Sequence, residues 1–404
     1  MLKLASVLVA SSLLAATAGC SSPADSLDNC PSGRSSLSSI DPATGEVAWH
    51  AALSQASEVA PKIEDGSVVV MAPCGVAVVD LVDGQVRYEA DTPGRVVGVL
   101  GDQLLTLDNS RDDGTDIVGL SLDTGKKVAI YSVNTPFQDA TVADGSLITL
   151  YGEILTATSG IGARPWWSIQ LPVHGRPQVA RSGQLVLVVA DDGSTWAVDL
   201  ADGTLVWRTV PPLAARRYAL QVTSVPGTVL TAASTNEETR RSLVYATDAR
   251  AGGLRWTRPA LSVLGADEDI TVLRTVLAVV AVDTTTGAMR WRRRASSLGV
   301  HADVATAALT RDTVVVPRSG AAALGLDRKT GRVRWQGPES STALADGEIL
   351  LLRTPDGVTA LDASTGAKRW SRTSERPQVE LAVAPNGQLL LLDTDVVAHP
   401  VEGQ

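Results

Sequence analysis

The residues of this 404-residue chain that could do chemistry are few and scattered. His50, His174, His301 and His399 show neither an HxxxH nor a Cys/His spacing, so no zinc site is read. The run Asp108-Asn109-Ser110-Arg111-Asp112-Asp113-Gly114-Thr115-Asp116 has the composition of a calcium loop. Its Gly falls one place late, however, and no Glu closes the frame, so the run reads as a solvated hairpin. Gly125-Lys126-Lys127 lacks the upstream Gly and the Ser/Thr of a phosphate-binding loop, and no GxSxG elbow occurs. The sequence therefore predicts no catalytic residue, no metal site and no cofactor.

What recurs instead is a frame. DPATGEVAW (41–49), DTTTGAMRW (283–291), DRKTGRVRW (327–335) and DASTGAKRW (362–370) place Asp four residues before a Gly and Trp four after it. Asp199/Trp207 and Asp248/Trp256 share the offsets, Asp80/Tyr88 has a Tyr for the Trp, and Ser121/Ala129 is eroded. The copy at Gly160 reaches Trp166 only after two extra residues. The Gly markers follow one another at 35 to 49 residues, about 40 on average. Between them lie short β-branched runs punctuated by Gly or Asp-Gly, such as EILLLRTPDG and VTALDASTG, which is strand and hairpin patterning. Four strands per unit and this period predict an all-β propeller. In each unit Asp caps backbone N–H groups, Gly takes a positive φ, and Trp49, Trp207, Trp256, Trp291, Trp335 and Trp370 dock one blade on the next.

DxxTGxxxW units resemble the PQQ-type repeats of β-propellers, found in quinoprotein dehydrogenases and in BamB-type outer-membrane assembly lipoproteins. The resemblance covers residue 37 to the C-terminus. It implies eight four-stranded blades, the last completed by an N-terminal strand. The segment 46–53 would supply that strand to a three-stranded tail. Motif arithmetic gives nine, with the unit between Gly125 and Gly160 the weakest, so eight is the expectation and nine the alternative. Quinoprotein dehydrogenases carry adjacent cysteines against the quinone, and this chain has only Cys20, Cys30 and Cys74. The resemblance thus favours a non-catalytic scaffold for protein or ligand binding. A PQQ-dependent dehydrogenase and an extracytoplasmic sensor or carrier are the alternatives.

The ends and the charge set the location. Lys3 is the only charge before the apolar run Leu4–Ala18, which is too short to span a bilayer. Thr17-Ala18-Gly19-Cys20 resembles the lipobox of bacterial lipoproteins, with Thr17 where Leu is usual. Residues 1–19 are accordingly read as a lipoprotein signal peptide, Cys20 as the lipidated residue and 20–36 as a flexible tether. The propeller would occupy 37–404, in an extracytoplasmic protein anchored to the cell membrane by lipid, with an envelope protein as partner. Cys30 and Cys74 form an even pair suited to a disulfide in an oxidising compartment. A net charge of −9 argues against nucleic acid as a partner. The basic runs Arg292-Arg293-Arg294 and Arg216-Arg217 read as solvated strand edges.

Overall fold

The computed structural model describes residues 33–396, except 56, 58–59, 73–74, 92–94, 109–114, 134–136, 176, 211–220, 235–241, 299–305 and 375–377. Nine four-stranded antiparallel sheets make up the β-propeller fold among the described residues. Blades 1 to 8 each use four consecutive strands and occupy 62–90, 95–133, 137–170, 178–209, 221–259, 262–294, 308–340 and 342–373. The expected eight is corrected to nine. The suspect unit is a full blade, with strands Phe137–Ala143, Ser146–Tyr151, Ile154–Thr158 and Pro165–Gln170. The one described helix, Ala295–Leu298, has four residues.

Blade 9 joins the two ends of the chain, in a proportion other than expected. The tail gives two strands, Gln378–Val383 and Leu389–Val396, and the head gives two, Gly33–Ile40 and Val47–Leu53. The first head strand pairs along its whole length with the last tail strand, from Gly33↔Val396 to Ile40↔Leu389. It opens inside the segment read as a tether. Its Ser-rich composition suggests a linker, yet Ser35, Ser36, Ser38 and Ser39 are buried with Leu37 and Ile40. Small hydroxyls fit this crowded position, and Ser35 Oγ accepts the Ser57 N–H at 3.0 Å. Cys20, Cys30 and Cys74 lie outside the described residues, as do the signal segment and Arg216-Arg217.

The described residues cluster in two compact units. One, within His174–Leu298, holds blades 4 to 6; the other holds blades 1 to 3 and 7 to 9. In each, the first strands of successive blades lie side by side: Gln221–Val225 beside Ser262–Ala266 in the smaller, Arg95–Leu100 beside Phe137–Ala143 in the larger. Sheet faces bury Val, Leu and Ala from neighbouring blades together, as where Leu230, Val244 and Trp256 of blade 5 meet Val263, Leu273 and Val282 of blade 6.

Candidate partner-binding strand

Each repeat motif builds the same junction from its residues upward. The motif Asp closes a tight turn: in blade 8 the Gly366 N–H donates to the Asp362 carbonyl at 2.8 Å, and Asp362 Oδ1 accepts the N–H groups of Ser364 and Thr365. The other carboxylate oxygen takes an Arg seven residues on, immediately before the docking aromatic. Asp80–Arg87, Asp248–Arg255, Asp283–Arg290, Asp327–Arg334 and Asp362–Arg369 pair at 2.5 to 2.9 Å. These bonds hold the carboxyls below the usual range. Asp283 is lowered to about 2 with the Arg290 bond as the largest cause, and Asp248 to about 2 with the Ala251 N–H as the largest.

The aromatic side chain then crosses to the next blade. The indole N–H of Trp49 donates to the Leu81 carbonyl, Trp207 to Ala249, Trp256 to Thr284, Trp335 to Ala363 and Trp370 to Pro42, at 2.8 to 3.1 Å. Every acceptor is the residue after the motif Asp of the receiving blade. The ring lies over that blade's motif Gly. A Cβ on Gly366, whose φ is +72°, would meet Trp335 Cγ at 2.6 Å. Trp49, Trp207, Trp256, Trp291 and Trp335 are buried, while Trp370 is partly exposed. Opposite each ring stands a small residue: Ser39, Ala197, Ala246, Ala281, Gly325 or Ala360. Two residues beyond the Trp, Thr209, Arg258 and Arg372 donate to the carbonyl of the motif Gly ahead. These last two features are visible in the sequence only once the register is known.

Two junctions depart from this pattern. Tyr88 of blade 1 covers Gly125, but its hydroxyl is buried without a hydrogen-bond partner and burial pushes it up to about 12. The junction from blade 2 to blade 3 has no docking aromatic, because Ala129 stands at that position opposite Gly119. Its space is filled from the other side. The turn of blade 3 is two residues longer and sends Ile161 back, so that its Cδ1 lies 3.0 Å from where a Gly119 Cβ would be, beside Gln103 Oε1 of blade 2 at 2.7 Å. Ile161 packs on the core formed by Val97, Leu105, Ile117 and Ala140. The same insertion shifts the register. Trp167, opposite Ala157, is the buried tryptophan of blade 3, and Trp166, the residue reached by counting along the sequence, is 57% exposed.

Around this junction gather aromatic residues that the repeat does not call for. Phe137 and Tyr151 of blade 3 meet edge to face, with centroids 5.5 Å apart. Tyr151 is pushed up to about 12, mainly by burial, and also feels the charge of Tyr131 from blade 2. Tyr131 lies on Lys127–Val133, the terminal strand of its sheet, together with exposed Val128 and Ile130. Ile154 is also exposed. On the first strands of the same three blades, Lys62 donates to the Val96 carbonyl at 3.3 Å and Arg95 pairs with Asp139, bonds that tie neighbouring blades together. Burial lowers Lys62 and raises Glu64 beside it.

Of the histidines, His50 bonds Ser38 at 3.0 Å, and His301 and His399 lie outside the described residues. Of the run with calcium-loop composition, residues 109–114 lie outside the described residues, and Asp108 and Asp116 are strand partners. Among the described residues no three His, Cys, Asp or Glu side chains are placed to hold a metal ion.

With this geometry in view, the comparisons have a frame. The family described as outer membrane protein assembly factor BamB matches residues 17–150, 138–260 and 220–344. The chain belongs to this PQQ-repeat propeller family. Among solved structures, the BamB of Moraxella catarrhalis is 14% identical, with 74% of this chain matched to 96% of that one and a TM-score of 0.46. The computationally designed Ika8 protein is 12% identical over 77% of this chain and 96% of its own, at 0.49. A eukaryotic initiation factor is 10% identical over 89% of this chain and 98% of its own, and its TM-score of 0.55 reflects a shared fold. Among curated proteins, none matches the chain.

Proposed function

We propose that this BamB-type propeller is a non-catalytic scaffold of the cell envelope, held at a membrane by an acylated Cys20, that recruits a protein partner through the exposed outer strand of blade 2. A disulfide between Cys30 and Cys74 would pin the head of the chain to blade 1. The observation that carries the partner site is the terminal strand Lys127–Val133, which exposes Val128 (53%), Ile130 (58%) and Tyr131 (41%). Exposed apolar strand edges are normally blunted by charge. The fourth strands of blades 6 and 8 are, in MRWRRR and KRWSRT, whereas blade 4 also leaves Leu205 and Val206 exposed. In blade 2 Lys127 stands alone before a row of apolar side chains. Exposed aliphatic and aromatic side chains along one strand edge have the composition of a protein-binding hot spot, with Val128 and Ile130 on one face of the strand and Tyr131 on the other.

The test is capture from detergent-solubilised membranes by the wild-type chain and by Ile130→Glu/Tyr131→Glu. A stoichiometric envelope protein retained by the first and lost from the second is the expected result. Equal capture by both would remove this strand as the binding site, and no stoichiometric partner for either would remove the scaffold.

A further inference from the structure

Blade 6 carries an apolar tip in an unusual place. Its second and third strands, Ile270–Arg274 and Ala278–Asp283, are joined by a tight turn in which the Thr275 N–H donates to the Ala278 carbonyl and Thr275 Oγ1 accepts the Ala278 N–H. The two residues at the tip are Val276, 73% exposed, and Leu277, 69% exposed. Hairpin tips favour Gly, Asn, Asp, Ser and Pro, and the same turn reads Asp191-Asp192-Gly193 in blade 4 and Pro355-Asp356-Gly357 in blade 8. Nothing in the turn's geometry requires two large aliphatic groups in water.

Among the described residues of blade 6, the charges beside the tip are basic. Arg274 ends the strand that enters it. Arg294 stands opposite Ala278, Arg292 stands opposite Val280, and the Ala295 N–H donates to the Leu277 carbonyl, which brings the end of the fourth strand against the tip. Arg292 and Arg294 are exposed. Arg274, Arg292 and Arg294 form no ion pair with a carboxylate among the described residues, whereas Arg293 is partly buried and already engaged. The acidic residues of blade 6, Asp267, Glu268, Asp269 and Asp283, lie at the opposite ends of its strands, beside the turns after Ala266 and Asp283.

We propose that this tip docks on an anionic lipid surface, with Val276 and Leu277 entering the headgroup–acyl boundary and Arg274, Arg292 and Arg294 binding lipid phosphates. Two aliphatic side chains are far too little area for a stable protein interface, which needs roughly 800 Å² per partner. They suit shallow, reversible insertion reinforced by basic residues. The long arginine stems let the guanidinium groups stay at phosphate level while the tip goes deeper. The net charge of −9 makes such contact local: only this end of blade 6 would face the bilayer. The proposal is separate from the partner-binding strand of blade 2, and either can fail without the other.

The test uses the full chain with Cys20→Ser, so that no acyl chain contributes, in co-sedimentation with vesicles of phosphatidylcholine alone or with roughly 30% phosphatidylglycerol, a composition chosen to span the charge range over which such contacts act. Binding to the anionic vesicles only, weakened by salt, is expected. Val276→Ser/Leu277→Ser should abolish most of it, and Arg292→Gln/Arg294→Gln should lower it about fivefold per arginine. All these positions are on the surface, so thermal unfolding of the variants should match that of the parent. No binding by the parent, equal binding to neutral vesicles, or binding unchanged by the tip substitutions would overturn the proposal. The last of these would point instead to a protein contact for the tip.

Discussion

The junction from blade 7 to blade 8 and the junction from blade 2 to blade 3 solve one packing problem in opposite directions. In the first, Trp335 crosses forward, leans on Gly366 and donates to the Ala363 carbonyl, while Arg334 beside it is held by Asp327. In the second the forward ring is missing, and Ile161 reaches back over Gly119 and Ala129. The first junction leaves an edge guarded by charge; the second leaves Val128, Ile130 and Tyr131 in solvent. The docking aromatic supplies buried area at the first junction, and in blade 7 the Arg334 beside it is held by Asp327. Where the aromatic is absent, the strand is free to carry a binding surface.

The comparison breaks most readily at Trp335. Trp335→Ala should cost about 3–5 kcal/mol in urea unfolding, the range for an emptied aromatic site, while Ile161→Ala, which empties a smaller and partly exposed site, should cost well under half as much. Gly366→Ala should come next, at about 1–3 kcal/mol, because its φ of +72° is unfavourable for Ala and the new Cβ would meet the Trp335 ring.

Acid sharpens the contrast between junctions with and without an Asp–Arg pair. Asp248 and Asp283 are held at about 2, below an unfolded value near 3.9. Their contribution is therefore present above about pH 4 and lost as pH falls through about 2. Asp248→Asn/Asp283→Asn should lower stability near neutrality and flatten its fall in that window, leaving the variant and the parent alike below about pH 2, which acid titrations followed by tryptophan fluorescence would show. The smallest effect is expected at Tyr88, whose hydroxyl is buried without a partner. Tyr88→Phe should change stability by less than about 1 kcal/mol and toward greater stability, since no hydrogen bond is lost.

Much of the frame could be read from residue order because its chemistry is local. Asp, Gly and Trp lie within nine residues of one another, so their spacing survives in the sequence even though the Trp packs on the following blade. The Arg before the Trp was equally visible in KRW, MRW, VRW and LRW, but its partner, seven residues back, becomes plain only when both sit on one turn. The expectation of eight blades came from resemblance, and the motif spacing already carried nine. The head strand Gly33–Ile40 was hidden because serines that fill a crowded strand look like a linker. Ile161 was hidden because its role depends on a neighbouring blade about 40 residues away. The tip of blade 6 was hidden inside ITVLRTVLAVVAV, where an apolar turn without Gly, Pro or Asn reads as continuous strand.

One double-mutant cycle bears most directly on whether Ile161 occupies the place of the missing indole. Ala129→Trp alone should overpack the junction and cost about 1–3 kcal/mol. Ile161→Ala alone should cost about 1–2 kcal/mol by leaving a void. Combined, the new ring should fill the space that Ile161 vacates, so that the double variant is more stable than the sum of the singles by more than about 1 kcal/mol in urea unfolding. Additivity within about 0.5 kcal/mol would mean that the two side chains do not share one site, and the reversed junction would then be contradicted.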